Sequence, residues 1–307
     1  MSPSVPTRIL LIDDDRLQHR LIQEYVARFR GGPWELESAP DYVSGLKQLL
    51  SGKYAVCLLD YRLGDRDGLE LMCAARAADC NTPVVILTAE ASDELDDAAM
   101  NAGAMDYLVK SELTPRILEH SIRYARKLGS TLEQLKRLAT RDGLTGQLNR
   151  REFERILHEE WQRSVRFNHA FALVLADIDH FKQINDTHGH QIGDEVLKHV
   201  ASLLGGQIRT VDRLARYGGE EFAIVMVETD RKSAVEAVER LFALLAETPC
   251  QVSPTLSLNV TLSAGVAEMP HDATSPAELI AAADEALYSA KKAGRNRVFT
   301  ARRTRKD

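Results

Sequence analysis

Between Arg8 and about Arg126, short apolar runs alternate with amphipathic stretches, and this alternation restricts the possible folds strongly. The apolar runs read as strands: Ile9–Ile12, Tyr54–Leu59, Pro83–Leu87 and Asp106–Val109. The amphipathic stretches read as helices: Leu17–Phe29, Leu69–Ala78, Asp93–Ala102 and a last one from Pro115. Strands that are apolar throughout are buried on both faces, as in a parallel sheet covered by helices. The pattern therefore predicts a doubly wound parallel sheet.

Polar side chains come where these predicted strands end. Carboxylates, a hydroxyl and an ammonium follow the strands directly: Asp13, Asp14, Asp15, Asp60, Thr88 and Lys110. Ligands of such sheets bind beyond the carboxyl ends of the strands. Loops of α/β proteins are polar in general, which explains each residue alone but explains the combination less well. We therefore expect one small polar site at this edge.

Length and composition limit the class of protein. The chain has 307 residues, a length typical of two domains, with 44% hydrophobic and 27% charged residues. Its net charge of −6 gives no overall attraction to nucleic acid, so we expect no DNA partner. The four cysteines form no CxxC pair, which favours reduced thiols. With no signal peptide and no membrane-spanning run, we expect a cytoplasmic protein whose residues 1–7 form a loose leader.

The first part of the chain resembles the receiver domain of bacterial two-component response regulators. The resemblance depends on these motifs: Ile12-Asp13-Asp14-Asp15, Leu59-Asp60, Leu87-Thr88-Ala89 and Val109-Lys110. It implies that Asp60 is phosphorylated, with a histidine kinase as the phosphoryl donor. It also implies one Mg²⁺, with these ligands: Asp13, Asp14, Asp60 and the backbone carbonyl of Arg62. A carboxylate that attacks a phosphoryl group needs such cations to neutralise the repulsion.

The same resemblance assigns a switch to the later strands. Thr88 and Lys110 are implied to contact the phosphoryl oxygens, and Tyr107 matches the aromatic switch position, although a half-buried strand tyrosine is an alternative for it. Two departures concern transmission of the switch. Ser111 stands where the family usually has proline, and residues 61–68 lack the common Met-Pro-rich form.

Pro115 to about Arg141 reads as one long helix. Leucines at spacings of three or four form a narrow apolar stripe: Leu128, Leu132, Leu135 and Leu138. Such a stripe favours a two-helix seam between subunits, the alternative being packing on its own domain. Gly129-Ser130 are poor helix formers, which allows a hinge there.

A second group of carboxylates is expected in the latter half. Arg216-Tyr217-Gly218-Gly219-Glu220-Glu221-Phe222 joins two apparent strands, Val211–Tyr217 and Ala223–Val227. The two glycines permit a tight turn with positive φ. A further buried-type strand, Phe171–Ala176, ends in Asp177. Together these carboxylates suit metal-assisted chemistry on a phosphate, whereas the hairpin tip alone would be read as a solvated turn.

Residues 142 to about 300 resemble a GGDEF-type diguanylate cyclase domain. Several separate segments carry the resemblance: Asp142-x-Leu144-Thr145-Gly146, Asn149-Arg150-Arg151, Asp177-Ile178-Asp179-x-Phe181-Lys182, Asn185-Asp186-x-x-Gly189-His190, Gly193-Asp194, Arg216 to Phe222, and Ala290-Lys291-x-x-Gly294-Arg295-Asn296. The resemblance implies GTP as the substrate and two Mg²⁺ at the site, with these ligands: Asp177, the Ile178 carbonyl, Glu220 and Glu221. The resemblance also implies that Glu220 helps to deprotonate the attacking 3′-hydroxyl.

Nucleotide contacts follow from the same resemblance. Asn185 and Asp194 pair with guanine, and Asp194 disfavours adenine, which lacks the matching pair of donors. The implied phosphate-binding residues are Phe181, Lys182, Lys291 and Arg295. Three histidines lack the cysteine neighbours and spacing of a zinc site, and we interpret them as guanine-pocket or surface residues: His180, His188 and His190.

An Arg-x-x-Asp pattern, Arg209 and Asp212, lies just before the hairpin. Its offset matches the family's inhibitory product site, where an arginine fork and a carboxylate hold a cyclic dinucleotide. Arg240 is a candidate for a further contact. A surface salt bridge is the alternative for the pattern alone.

The sequence thus predicts an α/β protein with a flavodoxin-like receiver domain at 8–125, a helical stalk at 126–141, and an α+β cyclase-like domain with a mainly antiparallel sheet at 142–307. The leading hypothesis is a phosphorylation-activated, homodimeric diguanylate cyclase that is inhibited by its product, cyclic di-GMP. The alternatives are a catalytically silent nucleotide-binding module, a DNA-binding regulator, which the acidic composition disfavours, and a cyclase for mixed purines, which Asp194 disfavours.

Overall fold

A computed structural model of the protein describes residues 6–90, 92–253 and 256–301. Residues 1–5 of the expected leader lie outside these ranges. The chain divides into two compact units, Met1–Lys136 and Arg137–Asp307. Among the described residues, no helix is both long enough and apolar enough to cross a bilayer.

The first unit is built around a parallel five-stranded sheet in the order β2-β1-β3-β6-β7. Its elements are β1 (Thr7–Ile12), α1 (Arg16–Val26), β2 (Trp34–Ala39), α2 (Tyr42–Leu49), β3 (Val56–Asp60), β4 (Arg62–Leu63), β5 (Arg66–Asp67), α3 (Gly68–Ala77), β6 (Val84–Thr88), α4 (Asp93–Asn101), β7 (Asp106–Val109), a 3₁₀ turn (Lys110–Glu112) and α5 (Pro115–Thr140). Helices cover both faces, which separates the core into two apolar clusters. The predicted doubly wound parallel sheet is confirmed.

Strand β2 and helix α2 were absent from the sequence prediction. Strand β2 lies at the edge of the sheet and alternates polar with apolar residues, so it lacks the apolar run that marked the other strands. One of its acidic residues, Glu37, accepts a hydrogen bond from the Tyr54 hydroxyl at 2.6 Å. The polar residues of β2 fit its position, because most residues of this edge strand are only partly buried.

Helix α5 is continuous through Gly129 and Ser130. A Cβ at position 129 would overlap the ring of Pro83, so the glycine allows a close approach between the helix and the start of β6. The three leucines that follow are exposed: Leu132, Leu135 and Leu138. Gly129 therefore serves packing, and the helix is unbroken at the position where its low helix propensity allows a hinge.

The second unit has a six-stranded sheet in the order β15-β14-β9-β11-β10-β8. Its elements are β8 (Leu148–Asn149), α6 (Arg150–Phe167), β9 (Phe171–Ile178), α7 (Phe181–His188), α8 (His190–Gln207), β10 (Arg213–Arg216), β11 (Glu221–Met226), α9 (Arg231–Glu247), β12 (Cys250–Ser253), β13 (Leu256–Leu258), β14 (Leu262–Met269), α10 (Pro276–Lys292) and β15 (Val298–Thr300). The inner pairs of the large sheet are antiparallel, and its two outermost pairs are parallel. The predicted mainly antiparallel sheet is confirmed.

The sheet packs tightly against α10 at Gly265 of strand β14. A Cβ there would overlap the backbone of α10 at the Ala283 carbonyl and the Leu287 amide. Backbone atoms of a helix cannot move aside as the end of a side chain can. Close packing of β14 on α10 therefore requires glycine at this position.

We expect Gly265→Ala to destabilise the second unit by about 3 kcal/mol, because the added methyl group forces β14 and α10 apart. Urea unfolding followed by Trp161 fluorescence in a Trp34→Phe background measures this loss. Gly206→Ala is the matched control, because nothing lies within 4 Å of its added Cβ. The control should be neutral or stabilising by up to about 1 kcal/mol. Equal effects of both substitutions would contradict the packing argument.

Candidate active site

In the first unit, Lys110 bridges two buried carboxylates. Its Nζ lies 2.8 Å from Asp13 Oδ2 and 2.8 Å from Asp60 Oδ2. Burial raises the pKa of the Asp60 carboxyl, and the neighbouring charge of Asp13 raises it further, while Lys110 lowers it. Asp60 is the last residue of β3, so strand pairing holds the nucleophile that the sequence predicts at the sheet edge.

The receiver carboxylates also fit a divalent cation. Asp13, Asp14 and Asp60 each offer an oxygen, and these oxygens lie within 4.8 Å of one another. Such a set of hard oxygen donors suits Mg²⁺. The backbone N–H of Arg62 donates to Asp60, and the Gly64 amide donates to Asp14 Oδ2 at 3.0 Å. The loop after β3 therefore holds the carboxylates in place.

Two switch candidates share one acceptor. The Thr88 hydroxyl donates to the Glu90 carbonyl at 3.2 Å, and the Tyr107 hydroxyl donates to the same carbonyl at 2.9 Å. Thr88, Lys110 and Asp60 line a common cleft of about 140 Å³. The cleft joins Asp60, the predicted phosphoacceptor, to the residues that the sequence predicts around it.

In the second unit, the paired strands β9 and β11 bring the acidic residues together. Asp177 is paired with Glu221 in the antiparallel ladder, and the Ile178 amide donates to the Glu220 carbonyl at 3.2 Å. Asp177 and Ile178 lie inside β9, two residues beyond the predicted end of the strand. Strand pairing therefore places the predicted metal-binding residues side by side.

The site carries a compensating cation. Lys291 Nζ lies 2.8 Å from Asp177 Oδ2. Burial raises the pKa of the Asp177 carboxyl, and Lys291 and Arg295 lower it. The pKa of Glu220 is also raised, by burial and then by Asp177. Within the described ranges, only Asp13, Asp14 and Asp60 gather three carboxylate oxygens within 4.8 Å, so the acids of the second unit are neighbours without forming so compact a group.

The hairpin tip corrects one prediction. Neither Gly218 nor Gly219 has positive φ. A Cβ at Gly218 would instead overlap the Glu221 carboxylate, so this glycine provides room for the acid. The turn closes through Tyr217 and Gly218 amides that donate to the Glu221 carbonyl at 2.8 and 3.2 Å.

Arg216 and Asp142 form a clamp on this tip that the sequence reasoning did not identify. The Arg216 guanidinium donates to the Gly219 carbonyl at 2.7 and 3.2 Å. It also reaches Asp142 at 3.2 Å, across 74 positions of sequence. Asp142 is held in turn by the amide and hydroxyl of Thr145 at 2.9 and 2.8 Å. The start of the second unit therefore supports the acidic hairpin.

The predicted guanine-binding residues come from consecutive helices. Asn185 lies on α7, and Asp194 follows Gly193 near the start of α8. Asn185 Oδ1 is buried without a hydrogen-bond partner, and a Cβ at Gly193 would overlap it. The packed oxygen directs the other end of the carboxamide, its NH₂ donor, away from Gly193. An amide donor beside the exposed Asp194 carboxylate fits the edge of a guanine.

The predicted phosphate-binding residues lie around the same strand end. Phe181 is buried at the start of α7, and Lys182 is exposed beside it. Arg295 is exposed on the turn after α10, the helix that carries Lys291. His180, His188 and His190 are exposed and do not join a metal-binding group within the residues described.

The predicted inhibitory residues surround one cavity of about 350 Å³. Arg209 forms a two-point ion pair with Asp212 at 3.0 and 3.1 Å. The same guanidinium donates to the Val227 carbonyl at 2.9 Å and to the Thr229 hydroxyl at 2.6 Å, a contact that the sequence did not indicate. Arg240, on α9, lines the cavity as well.

We expect Lys110→Ala to destabilise the first unit by about 3 kcal/mol at pH 8 in metal-free buffer, because two buried carboxylates lose their cation. The pKa of Asp60 is raised, so this carboxyl becomes neutral early as the pH falls. The loss of stability caused by Lys110→Ala should therefore become smaller at lower pH. Urea unfolding followed by Trp34 fluorescence in a Trp161→Phe background measures it. The exposed Lys53→Ala is the control. A loss that grows on acidification would contradict this account.

Comparison with known proteins gives the two units their families. A family model described as "Diguanylate cyclase, GGDEF domain" matches residues 139–297, and one described as "Response regulator receiver domain" matches residues 9–122. The probable diguanylate cyclase DgcC of Escherichia coli is 40% identical over 59% of this chain and 48% of its own length. The response regulator PleD of Caulobacter vibrioides is 32% identical over 95% of this chain and 65% of its own length. The chain therefore spans about half to two thirds of these relatives.

A solved structure agrees with the second unit. The coiled coil and GGDEF domain of DgcB from Caulobacter crescentus, in complex with c-di-GMP, has a TM-score of 0.55 and 33% identity. The match covers 61% of this chain and 98% of that one. Together with the family models, it supports one assignment: the chain belongs to the diguanylate cyclase GGDEF-domain family, and carries a response regulator receiver domain in its first half.

Proposed function

We propose that the protein is a phosphorylation-activated diguanylate cyclase that condenses two GTP into cyclic di-GMP and two pyrophosphates across a homodimer. The observation that carries the proposal is the pairing of Asp177 with Glu221 beside Glu220, at the edge where Lys291 lies. Acids and a lysine in this arrangement suit a nucleoside triphosphate with its cations.

Guanine selection is assigned to Asn185 and Asp194. The Asp194 carboxylate accepts from the ring N–H and the exocyclic amine of guanine, a donor pair that adenine lacks. The buried Asn185 oxygen supports an orientation in which the amide NH₂ donates to the carbonyl of the base. A site built around such polar groups discriminates strongly, because a wrong base leaves them unpaired.

We assign binding of the GTP phosphates to the basic residues of the site. Lys182, Lys291 and Arg295 neutralise the β- and γ-phosphates, together with backbone N–H groups between Asp179 and Lys182. Asp177, the Ile178 carbonyl, Glu220 and Glu221 would hold two Mg²⁺, which supply charge neutralisation to the triphosphate when bound. Since these acids are adjacent along β9 and β11, the fold fits that role.

Each condensation step is a displacement at phosphorus. The 3′-hydroxyl of one nucleotide attacks the α-phosphorus of the other, the new O–P bond forms, and the bond to pyrophosphate breaks. Glu220 accepts the hydroxyl proton as general base. Two such steps close the ring.

One cyclase unit supplies only half of this reaction, so two must meet face to face. The exposed leucine stripe of α5 supports a dimeric stalk, since apolar side chains at this spacing pair with a second helix. Phosphorylation of Asp60 by a histidine kinase would change receiver pairing, and the stalk would transmit that change. One Mg²⁺ held by Asp13, Asp14, Asp60 and the Arg62 carbonyl is part of the receiver proposal.

Product inhibition is assigned to the cavity around Arg209, Asp212 and Arg240. Its two guanidinium groups match the phosphates and guanines of cyclic di-GMP. Asp212, which is buried and paired with Arg209, keeps that guanidinium oriented. The Arg209 pKa is raised above its ordinary value, chiefly by this pairing, so the positive charge persists.

Glu220→Gln should lower cyclic di-GMP formation by about 100- to 10,000-fold, because the amide removes the base and a metal ligand. Chromatography of the products from GTP and Mg²⁺ measures the rate, with and without acetyl phosphate. Glu239→Gln, an exposed change on α9, is the control and should keep full activity. Absence of cyclic di-GMP from the unaltered protein under both conditions would favour a catalytically silent binding module.

Asp60→Asn should keep the basal rate of the cyclase and abolish its stimulation by acetyl phosphate, because an amide cannot form the acyl phosphate. The readout is the ratio of the rates with and without the donor, with phosphate incorporation measured in parallel. Asp65→Asn, in the same loop, serves as the control. Full stimulation of the Asp60 variant would disprove the coupling.

A further inference from the structure

Asp179 is a buried acid whose carboxylate joins three separate segments. It is 5% exposed and lies just beyond the end of β9, two residues after Asp177. Its Oδ1 accepts from the Ser263 hydroxyl at 2.6 Å. Its Oδ2 accepts from the Thr261 hydroxyl at 2.8 Å and from the Asn296 amide at 3.0 Å. The proposed catalytic groups do not include it, so its role needs another explanation.

One of these segments is the turn after α10, whose backbone is unusual. Gly294, Arg295 and Asn296 have φ values of 109°, 58° and 47° in succession. Two of these residues have a Cβ, and the left-handed region costs such residues roughly 1 kcal/mol each. A turn of this kind persists only where surrounding contacts hold it.

The hydrogen bonds of this turn show what holds it. The Arg295 amide donates to the Ala290 carbonyl at 3.1 Å, which ties the turn to its own helix. The Asn296 amide donates to Asp179, 117 positions earlier in sequence, which ties the turn to the end of β9. Arg295 is thus held between an anchor on α10 and an anchor on the strand that carries Asp177.

We propose that Asp179 is a positioning residue, which holds the 293–297 turn so that Arg295 meets the terminal phosphates of the bound nucleotide. The inference rests on the proposed function and deepens it. Asp177 and Asp179 both lie at the end of β9. This strand therefore fixes the position of Arg295, the proposed phosphate-binding residue, relative to Asp177, the proposed metal ligand. Arg295 lies within electrostatic reach of Asp177, whose pKa it lowers.

The chemistry of the side chain explains why an aspartate stands here. Three donors converge on two oxygens, and a carboxylate has acceptor capacity for all of them. An asparagine would keep one acceptor oxygen and place an NH₂ group among donors. Alanine would remove the acceptor of the Asn296 amide, and the strained turn would lose its contact with the end of β9.

The test compares two nucleotides on the full chain by calorimetry in Mg²⁺ buffer. The probes are 3′-deoxy-GTP, which cannot react, and GMP, which has no terminal phosphates. Asp179→Ala should weaken 3′-deoxy-GTP binding by about tenfold, the effect of losing one charge-assisted contact, and leave GMP affinity unchanged. If this variant does not fold, Asp179→Asn replaces it, because it keeps the side-chain volume.

Ser263→Ala is the matched control. It removes a hydrogen bond to the same carboxylate but leaves the Asn296 amide in place. It should lower the melting temperature while the ratio of the two affinities stays constant. A merely structural role of Asp179 would weaken both nucleotides together, and in the control as well, which would overturn the inference.

A double variant isolates the link to Arg295. If Asp179 acts through that side chain, Asp179→Ala should have no further effect on triphosphate affinity in an Arg295→Ala background. Additive losses would overturn the inference.

The same measurements distinguish a failure of this inference from a failure of the proposed function. If the unaltered protein fails to bind 3′-deoxy-GTP, the proposed function itself is disproved. If the unaltered protein binds 3′-deoxy-GTP but Asp179→Ala does not change the ratio of the affinities for 3′-deoxy-GTP and GMP, only this inference is disproved.

Discussion

The pairing of β9 with β11 is the constraint on which the second unit depends. Strand β9 is buried along its whole length between β14 and β11. Its apolar residues contribute to the clusters on both faces of the sheet, and the backbone ladder sets its register against β11. Because the register is set by this burial, Asp177 and Glu221 are held side by side although their charges repel.

Both units compensate crowded acids with a lysine. Lys110 contacts Asp13 and Asp60 in the first unit, and Lys291 contacts Asp177 in the second. In each case burial raises the pKa of an acid and the ammonium lowers it. Buried carboxylates cost stability, and the apolar sheets around them supply the free energy that offsets this cost. The functional edge of each sheet is therefore maintained by the core beneath it.

Strand β11 also joins the two candidate sites of the second unit. Its first residue, Glu221, belongs to the acidic cluster. Just beyond its other end, the Val227 carbonyl accepts from Arg209, and the Val227 amide donates to Asp212. The strand spans roughly 20 Å between them. Arg209 and Asp212 therefore contact the same element that carries an acid of the candidate active site.

Local pattern was sufficient for much of the fold and for the acids at the strand ends, and the resemblance to the two families supplied the other candidate residues. Buried strands such as β3, β6 and β9 are apolar runs, and the acids at their ends are visible in the sequence. The polar edge strand β2 was missed because it lacks that signal. The glycines of the hairpin were assigned positive φ, but Gly218 serves to leave room for Glu221, a side-chain contact that propensity does not describe.

Residue types, strand periodicity and motif spacing are local properties that the sequence carries, and the motifs among them were sufficient to recognise the resemblance to the receiver and GGDEF families. The partners of Arg216 and Asp179 lie 74 and 117 positions away, and they became visible only in the folded chain. Periodicity tells which face of an element is buried, but not which distant group will meet it. That choice depends on the packing of the whole core, because bringing residues far apart in sequence together costs loop-closure entropy that long-range packing must offset.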